Sequence, residues 1–162
     1  MHRVRQFASH VGARVTPEDY ALAREVLPPT AWPLFAAMPL ADRRHAIDVA
    51  ERLRARGHTY PDLLVAALLH DAAKGRRMRL WHRVLGVVLD AVVPGLLRRL
   101  ASEDPRSWRH PFWLYLHHAR LSADLAVKAG CSPATARLIS GDVTGGPEAR
   151  LLAALKAADD AS

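Results

Sequence analysis

The sequence predicts an all-α protein, a single-domain helical bundle packed around one buried helix. Three observations predict it. Apolar residues recur at i, i+3, i+4 and i+7 along most of the chain, and no stretch alternates strictly enough to read as a strand. Prolines and glycines fall at helix-length intervals, with prolines near helix starts and glycines near helix ends. The segment DLLVAALLHDAA is apolar on every side, as a helix surrounded by protein must be.

The elements follow in order. Residues 1–15 read as an N-terminal arm and residues 16–162 as one domain. Thr16-Pro17-Glu18-Asp19 is an N-cap followed by proline and two acids, opening a helix that ends before Pro28-Pro29. A short helical turn is expected over 30–37, and Pro39 begins a longer helix that Gly57 stops. Pro61 opens the buried helix, which should continue through His70 and Asp71 until Gly75 closes it. Beyond a basic turn, helices are expected over 81–92 and 95–101, interrupted at Pro94, followed by a polar loop over 102–109. A helix over 111–129 stops at Gly130, Ser132-Pro133 begins another that ends near Gly141, and the last runs from Glu148 to about Asp160. No internal repeat is present.

A chain of 162 residues is the size of one domain. Half of its residues are hydrophobic and 24% are charged, a globular composition that excludes a disordered chain. The formal charge of +7 calls for acidic partners to be considered: nucleotides, nucleic acid or an anionic membrane surface. Arginine supplies twenty of the 23 basic residues, and these are scattered through the chain, so specific nucleic-acid binding is not expected. The single cysteine, Cys131, cannot form an internal disulfide and fits a reducing cytoplasm. The start of the chain has no apolar run of signal-peptide length, which again points to the cytoplasm. The most apolar stretch, 84–97, is too short for a membrane span and contains Asp90 and Pro94.

The residues that can carry chemistry lie on apolar helix faces. His70 continues the row Leu63, Ala66, Ala67, and Asp71 continues Leu64 and Leu68. A buried ionised carboxylate is costly unless paired, hydrogen-bonded or bound to a metal. His45 heads the row Val49, Leu53; Asp159 aligns with Leu152 and Leu155; His118 sits among Leu114, Leu121 and Leu125. Titratable groups on the inner faces of several helices are how helical domains build metal sites. His2, His10, His58, His82 and His110 lack such settings and read as surface or loop residues. Trp81, Trp108 and Trp113 are able to stack on a nucleobase, but at helical spacing they read first as core residues.

His45 in RRHAIDVAERL, the doublet in ALLHDAAKG and Asp159 in ALKAADD together resemble the pattern of the HD superfamily of metal-dependent phosphohydrolases, from about residue 30 to the C-terminus. The resemblance implies a helical bundle of the HD-domain type whose buried central helix carries the His-Asp doublet. It implies that His45, His70, Asp71 and Asp159 bind a divalent cation (Mn, Mg, Fe, Co, Ni or Zn). It also implies that His118, a better match than His117, serves a second ion. Where some members carry another histidine, this chain has Ser140, Gly141 and Asp142, with Asp142 as a substitute oxygen ligand.

The implied chemistry is hydrolysis of a small phosphorylated substrate, a nucleotide or a relative, by metal-activated water. Asp71 would either bridge two ions or orient that water. Lys74, one turn beyond the doublet, would neutralise a substrate phosphate, with Arg44, Arg76, Arg77 and Arg83 as further candidates for the phosphate shell. A second reading keeps the core but weakens catalysis through the Gly141/Asp142 departure, leaving a metal- and nucleotide-binding module. A third, driven by charge, is a nucleic-acid or membrane-surface protein whose affinity falls steeply with salt.

Overall fold

The computed structural model describes residues 15–75 and 95–162. The helix expected over 81–92, together with Trp81, His82, Arg76, Arg77 and Arg83, lies outside the described residues, as does most of the N-terminal arm. Among the described residues the chain is all-helical and no strand occurs.

Local sequence sets the helix starts. Helix α1 (Pro17–Val26) opens on a reciprocal cap: Thr16 Oγ1 accepts from the Asp19 amide at 3.3 Å while Asp19 Oδ2 accepts from the Thr16 amide at 2.7 Å. A 3₁₀ turn (Pro29–Ala31) leads into the short α2 (Trp32–Ala36), and α3 (Leu40–Ala55) follows Pro39. Helix α4 (Pro61–Leu69) places Pro61 in its first turn, where the missing amide hydrogen has no helical partner to lose.

Past the undescribed segment come α5 (Leu96–Leu100), the long α6 (His110–Lys128), α7 (Pro133–Ser140) and α8 (Gly146–Asp159). Ser132 caps α7 by accepting from the Thr135 amide at 3.0 Å. Gly130 reverses the chain between α6 and α7 at φ +83°, a conformation that favours glycine, and a Cβ there would lie a tight 3.2 Å from Thr30 Oγ1.

Helix α4 is the centre of the packing, in contact with α1, α2, α3, α6, α7 and α8. All of Leu63 through Leu69 are buried. Fully buried Leu63, Leu68 and Leu69 each contribute about 1.5–3 kcal/mol relative to an exposed side chain. Asp62 pins the start of α4 to that of α7: its Oδ1 accepts from Ser132 Oγ and, at 2.8 Å, from Thr135 Oγ1. One carboxylate thus lies in the positive end of two helix dipoles.

The structure departs from the expected course of α4 at the doublet. The α-helix stops at Leu69, and residues 70–75 continue as turns closed by Gly75 at φ +56°. The amide of Ala73, which a continuing helix would direct at the Leu69 carbonyl, instead donates to Ser122 Oγ of α6 at 3.0 Å. The Leu69 carbonyl accepts from Ala72 in a tighter turn, at 3.0 Å.

Two aromatic expectations also change. His110 is 9% exposed, its Nδ1 3.2 Å from the Ser102 carbonyl and its ring stacked on Trp113 at 5.5 Å, so it is buried. Trp108 is 70% exposed and is not a core residue.

Candidate metal centre

Three helices and the turn after α4 bring the cluster together. His45 faces inward from the second turn of α3, and Asp159 is the last residue of α8. His70 and Asp71 stand at the end of α4, and His118 comes from the middle of α6.

His45 Nε2 lies 2.8 Å from Asp159 Oδ1, and His70 Nε2 lies 3.5 Å from the same oxygen. The two imidazoles meet edge to face with centroids 5.5 Å apart. One ligand atom each from His45, His70 and Asp159 fall within 4.8 Å of one another, close enough to share one ion. Asp71 borders this triangle: its Oδ1 is 3.6 Å from His70 Nε2 and 3.8 Å from His118 Nε2, and its Oδ2 accepts from Lys74 Nζ at 2.6 Å.

The backbone orients both histidines beside Asp71 in the same way. His70 Nδ1 is 2.9 Å from the Ala67 carbonyl and His118 Nδ1 is 2.7 Å from the Tyr115 carbonyl. A carbonyl oxygen only accepts, so Nδ1 carries the hydrogen in each ring and the neutral ring presents a bare lone pair at Nε2. A backbone carbonyl fixing Nδ1 is the usual support of a metal-binding histidine.

Asp71 is 2% exposed, and both its Oδ1 and His70 Nε2 are buried without a hydrogen-bond partner. A carboxylate oxygen and a ring nitrogen facing each other across a gap with no hydrogen bond repel unless a positive charge lies between them. A proton on His70 or a cation supplies it. Without a cation, burial would lower the His70 pKa, but Asp71 and Asp159 outweigh it and raise the value to about 9. Burial would raise Asp71, yet His70, Lys74 and His118 hold it well below the usual carboxylate range. Asp159 is likewise held low against burial by His45 and His70. His118 is pushed down by burial and by Lys74, which favours its neutral form.

Of the other sequence candidates, those within the described residues make their contacts elsewhere. Asp142 is exposed in the loop after α7, its amide donating to Ser140 Oγ at 3.3 Å. Arg44 is engaged by three carboxylates: Asp19, Asp48 at 2.7 Å and Glu51 at 3.1 Å. Its neighbours neutralise it where it stands, at the centre of an ion-pair network joining α1 and α3. His117 is exposed and its ring leans on Trp113 at 4.7 Å. Sequence reading missed Ser122, fully buried and one helical turn beyond His118, and that spacing from a candidate ligand is the signal that marks it.

No family model matches the chain, and no curated protein or solved structure does. No helix among the described residues is long and apolar enough to cross a membrane.

Proposed function

We propose that the chain is a metal-dependent phosphohydrolase of the HD type that its motif spacing resembles, acting on a nucleotide or a related small phosphate. The observation that carries the reading is the pair of buried, unpartnered atoms His70 Nε2 and Asp71 Oδ1 beside the close trio of His45, His70 and Asp159. Two imidazoles and two carboxylates suit Mn, Fe, Co, Ni or Zn better than Mg, which prefers an all-oxygen shell.

A bound divalent cation would supply positive charge to a phosphoryl oxygen and lower the pKa of a water. His45, His70 and Asp159 would hold it, with Asp71 Oδ1 as the remaining oxygen at its edge. The Lys74 ammonium adds a second positive charge beside the cluster, and only one of its three donors is needed by Asp71. His118, kept neutral and held by Tyr115, presents Nε2 as a proton acceptor on the side of Asp71.

Purified protein analysed for metal and assayed on a phosphodiester and a panel of nucleotides tests the reading, with Mn²⁺, Co²⁺ or Ni²⁺ supplied. Turnover that disappears on chelation and returns with metal is the expected result. Full metal occupancy without turnover would favour the second reading, a metal- and nucleotide-binding module. The observation on its side is the exposed Asp142, which leaves the far side of Asp71 without that ligand.

A further inference from the structure

We propose that the face formed by α5 and the loop leading into α6 docks on an anionic lipid surface, with Trp108 at the polar–apolar boundary and Arg98, Arg99 and Arg106 against headgroup phosphates. The proposal is independent of the metal centre. Basic residues are scattered along the sequence, but the fold treats them unequally. Arg44, Arg54, Arg137 and Lys74 are each held by carboxylates. Arg98, Arg99, Arg106 and Arg109 form no ion pair among the described residues, and all four fall within residues 98–109.

Arg109 ties the two elements of this face together. Its Nε donates to the Leu100 carbonyl and its Nη2 to the Arg99 carbonyl, each at 2.6 Å. Both acceptors are neutral carbonyls in the last turn of α5, so the loop is fastened there while the guanidinium charge meets no carboxylate. The contact sets Arg98 and Arg99, exposed on α5, beside the segment that carries exposed Arg106 and Trp108. The acids of the loop, Glu103 and Asp104, stand against these four arginines and leave the face two positive charges in excess. Asp104 turns one oxygen back into its own loop, where Oδ1 accepts from the Arg106 amide at 2.9 Å. Trp108 is 70% exposed, its ring edge-on to buried Phe112 with centroids 6.3 Å apart. The indole is therefore propped on the core and not folded into it, which lowers the cost of ordering it on a partner.

A lipid surface matches this combination. Indole rings settle at the bilayer boundary, and arginine lays its stem on apolar groups while its head stays with phosphate. Leu96 and Leu97 of α5 close the most apolar stretch of the sequence, 84–97, which is too short to span a bilayer. Apolar residues flanked by arginine are the composition that lies in the interface plane. Single-stranded nucleic acid calls instead for successive stacking rings along a basic groove, and residues 96–109 hold one aromatic ring, Trp108.

The test is co-sedimentation of the full chain with vesicles of phosphatidylcholine alone and of phosphatidylcholine and phosphatidylglycerol in equal parts, with tryptophan emission as a second readout. Wild type should bind the mixed vesicles, release them as salt is raised and ignore phosphatidylcholine alone. Binding should shift the emission to shorter wavelength, and Trp108→Ala should lose that shift. Trp108→Ala and the double variant Arg98→Ala/Arg99→Ala should each weaken binding by about tenfold or more. Arg56→Ala/Arg150→Ala removes the same charge from exposed positions on other elements and should leave binding within about twofold. All these side chains are exposed, so thermal melts of the variants should match wild type. No binding to mixed vesicles, equal losses in the two double variants, or an unchanged shift in Trp108→Ala overturns the proposal. So does binding to a single-stranded oligonucleotide, but not to vesicles, that the Trp108 and Arg98/Arg99 variants abolish.

Discussion

Ser122 Oγ of α6 accepts the amide hydrogen of Ala73 at 3.0 Å, drawing the chain out of α-helical register two residues after Asp71. Adjacent residues on a continuous helix diverge by about 100°. The turn that Ser122 holds lets His70 and Asp71 border the same cluster. Ser122→Ala should therefore do two things. Losing this part-buried hydrogen bond should lower stability by about 1 kcal/mol, read from denaturant unfolding. It should also weaken Mn²⁺ binding by about 10–100-fold, as loss of supporting contacts around metal ligands commonly does. Unchanged metal affinity in a destabilised variant would make Ser122 a packing residue only.

Asp71 balances Lys74, His70 and His118 at once. Replacing it with alanine removes the shared anion and leaves these groups crowded without it. Asp71→Ala should lose about 3–5 kcal/mol of stability, the range for breaking a buried ion pair from one side. Turnover should vanish even at saturating metal. Asp71→Asn, similar in shape but uncharged, should recover part of the stability and none of the turnover. Thermal melts and a phosphodiester assay on the two variants separate the structural from the chemical role.

The helix starts were legible because their causes are local. Thr16 and Ser132 cap helices with their own side chains, and Pro61 needs no distant partner to sit in a first turn. His45, His70 and Asp159 were legible as candidates because each interrupts an apolar row. What the sequence hid depends on which partners the side chains meet, some far along the chain and some near. Past the end of α4 at Leu69, the Ala73 amide is taken up by Ser122, 49 residues farther along. The commitment of Arg44 is set partly by Asp19 on another helix. His110 is buried by its stack on Trp113 and its contact with Ser102.

Arg44 gives a control, because its charge is engaged by carboxylates of α1 and α3. Its guanidinium joins α1 to α3 through Asp19, Asp48 and Glu51. Arg44→Ala should lower stability by about 1 kcal/mol, since partly exposed ion pairs are weak individually and this one is a small network. It should leave kcat/KM for a phosphate substrate unchanged. A large rise in KM would return Arg44 to the phosphate shell.

The charges of the cluster fix how stability and metal affinity respond to pH. Asp71 and Asp159 have pKa values lowered by folding, so their contribution is present above the ordinary carboxylate range and lost as the solution is acidified through it. His70 is raised from 6.5 to about 9, so its contribution is complete below 6.5 and lost as the pH rises through about 9. The metal-free chain should be most stable between the carboxylate range and neutrality, with melting temperature falling on both sides. A cation at His70 must displace the proton, so Mn²⁺ affinity should climb by up to about tenfold per pH unit below 9 and level off above it. Calorimetric titration in buffers of different ionisation enthalpy checks the mechanism directly, since near-neutral binding should release close to one proton from His70. His70→Ala should bind Mn²⁺ weakly and lose this pH dependence, and a wild type whose affinity is flat from pH 6.5 to about 9 would show that His70 is already neutral before the metal arrives.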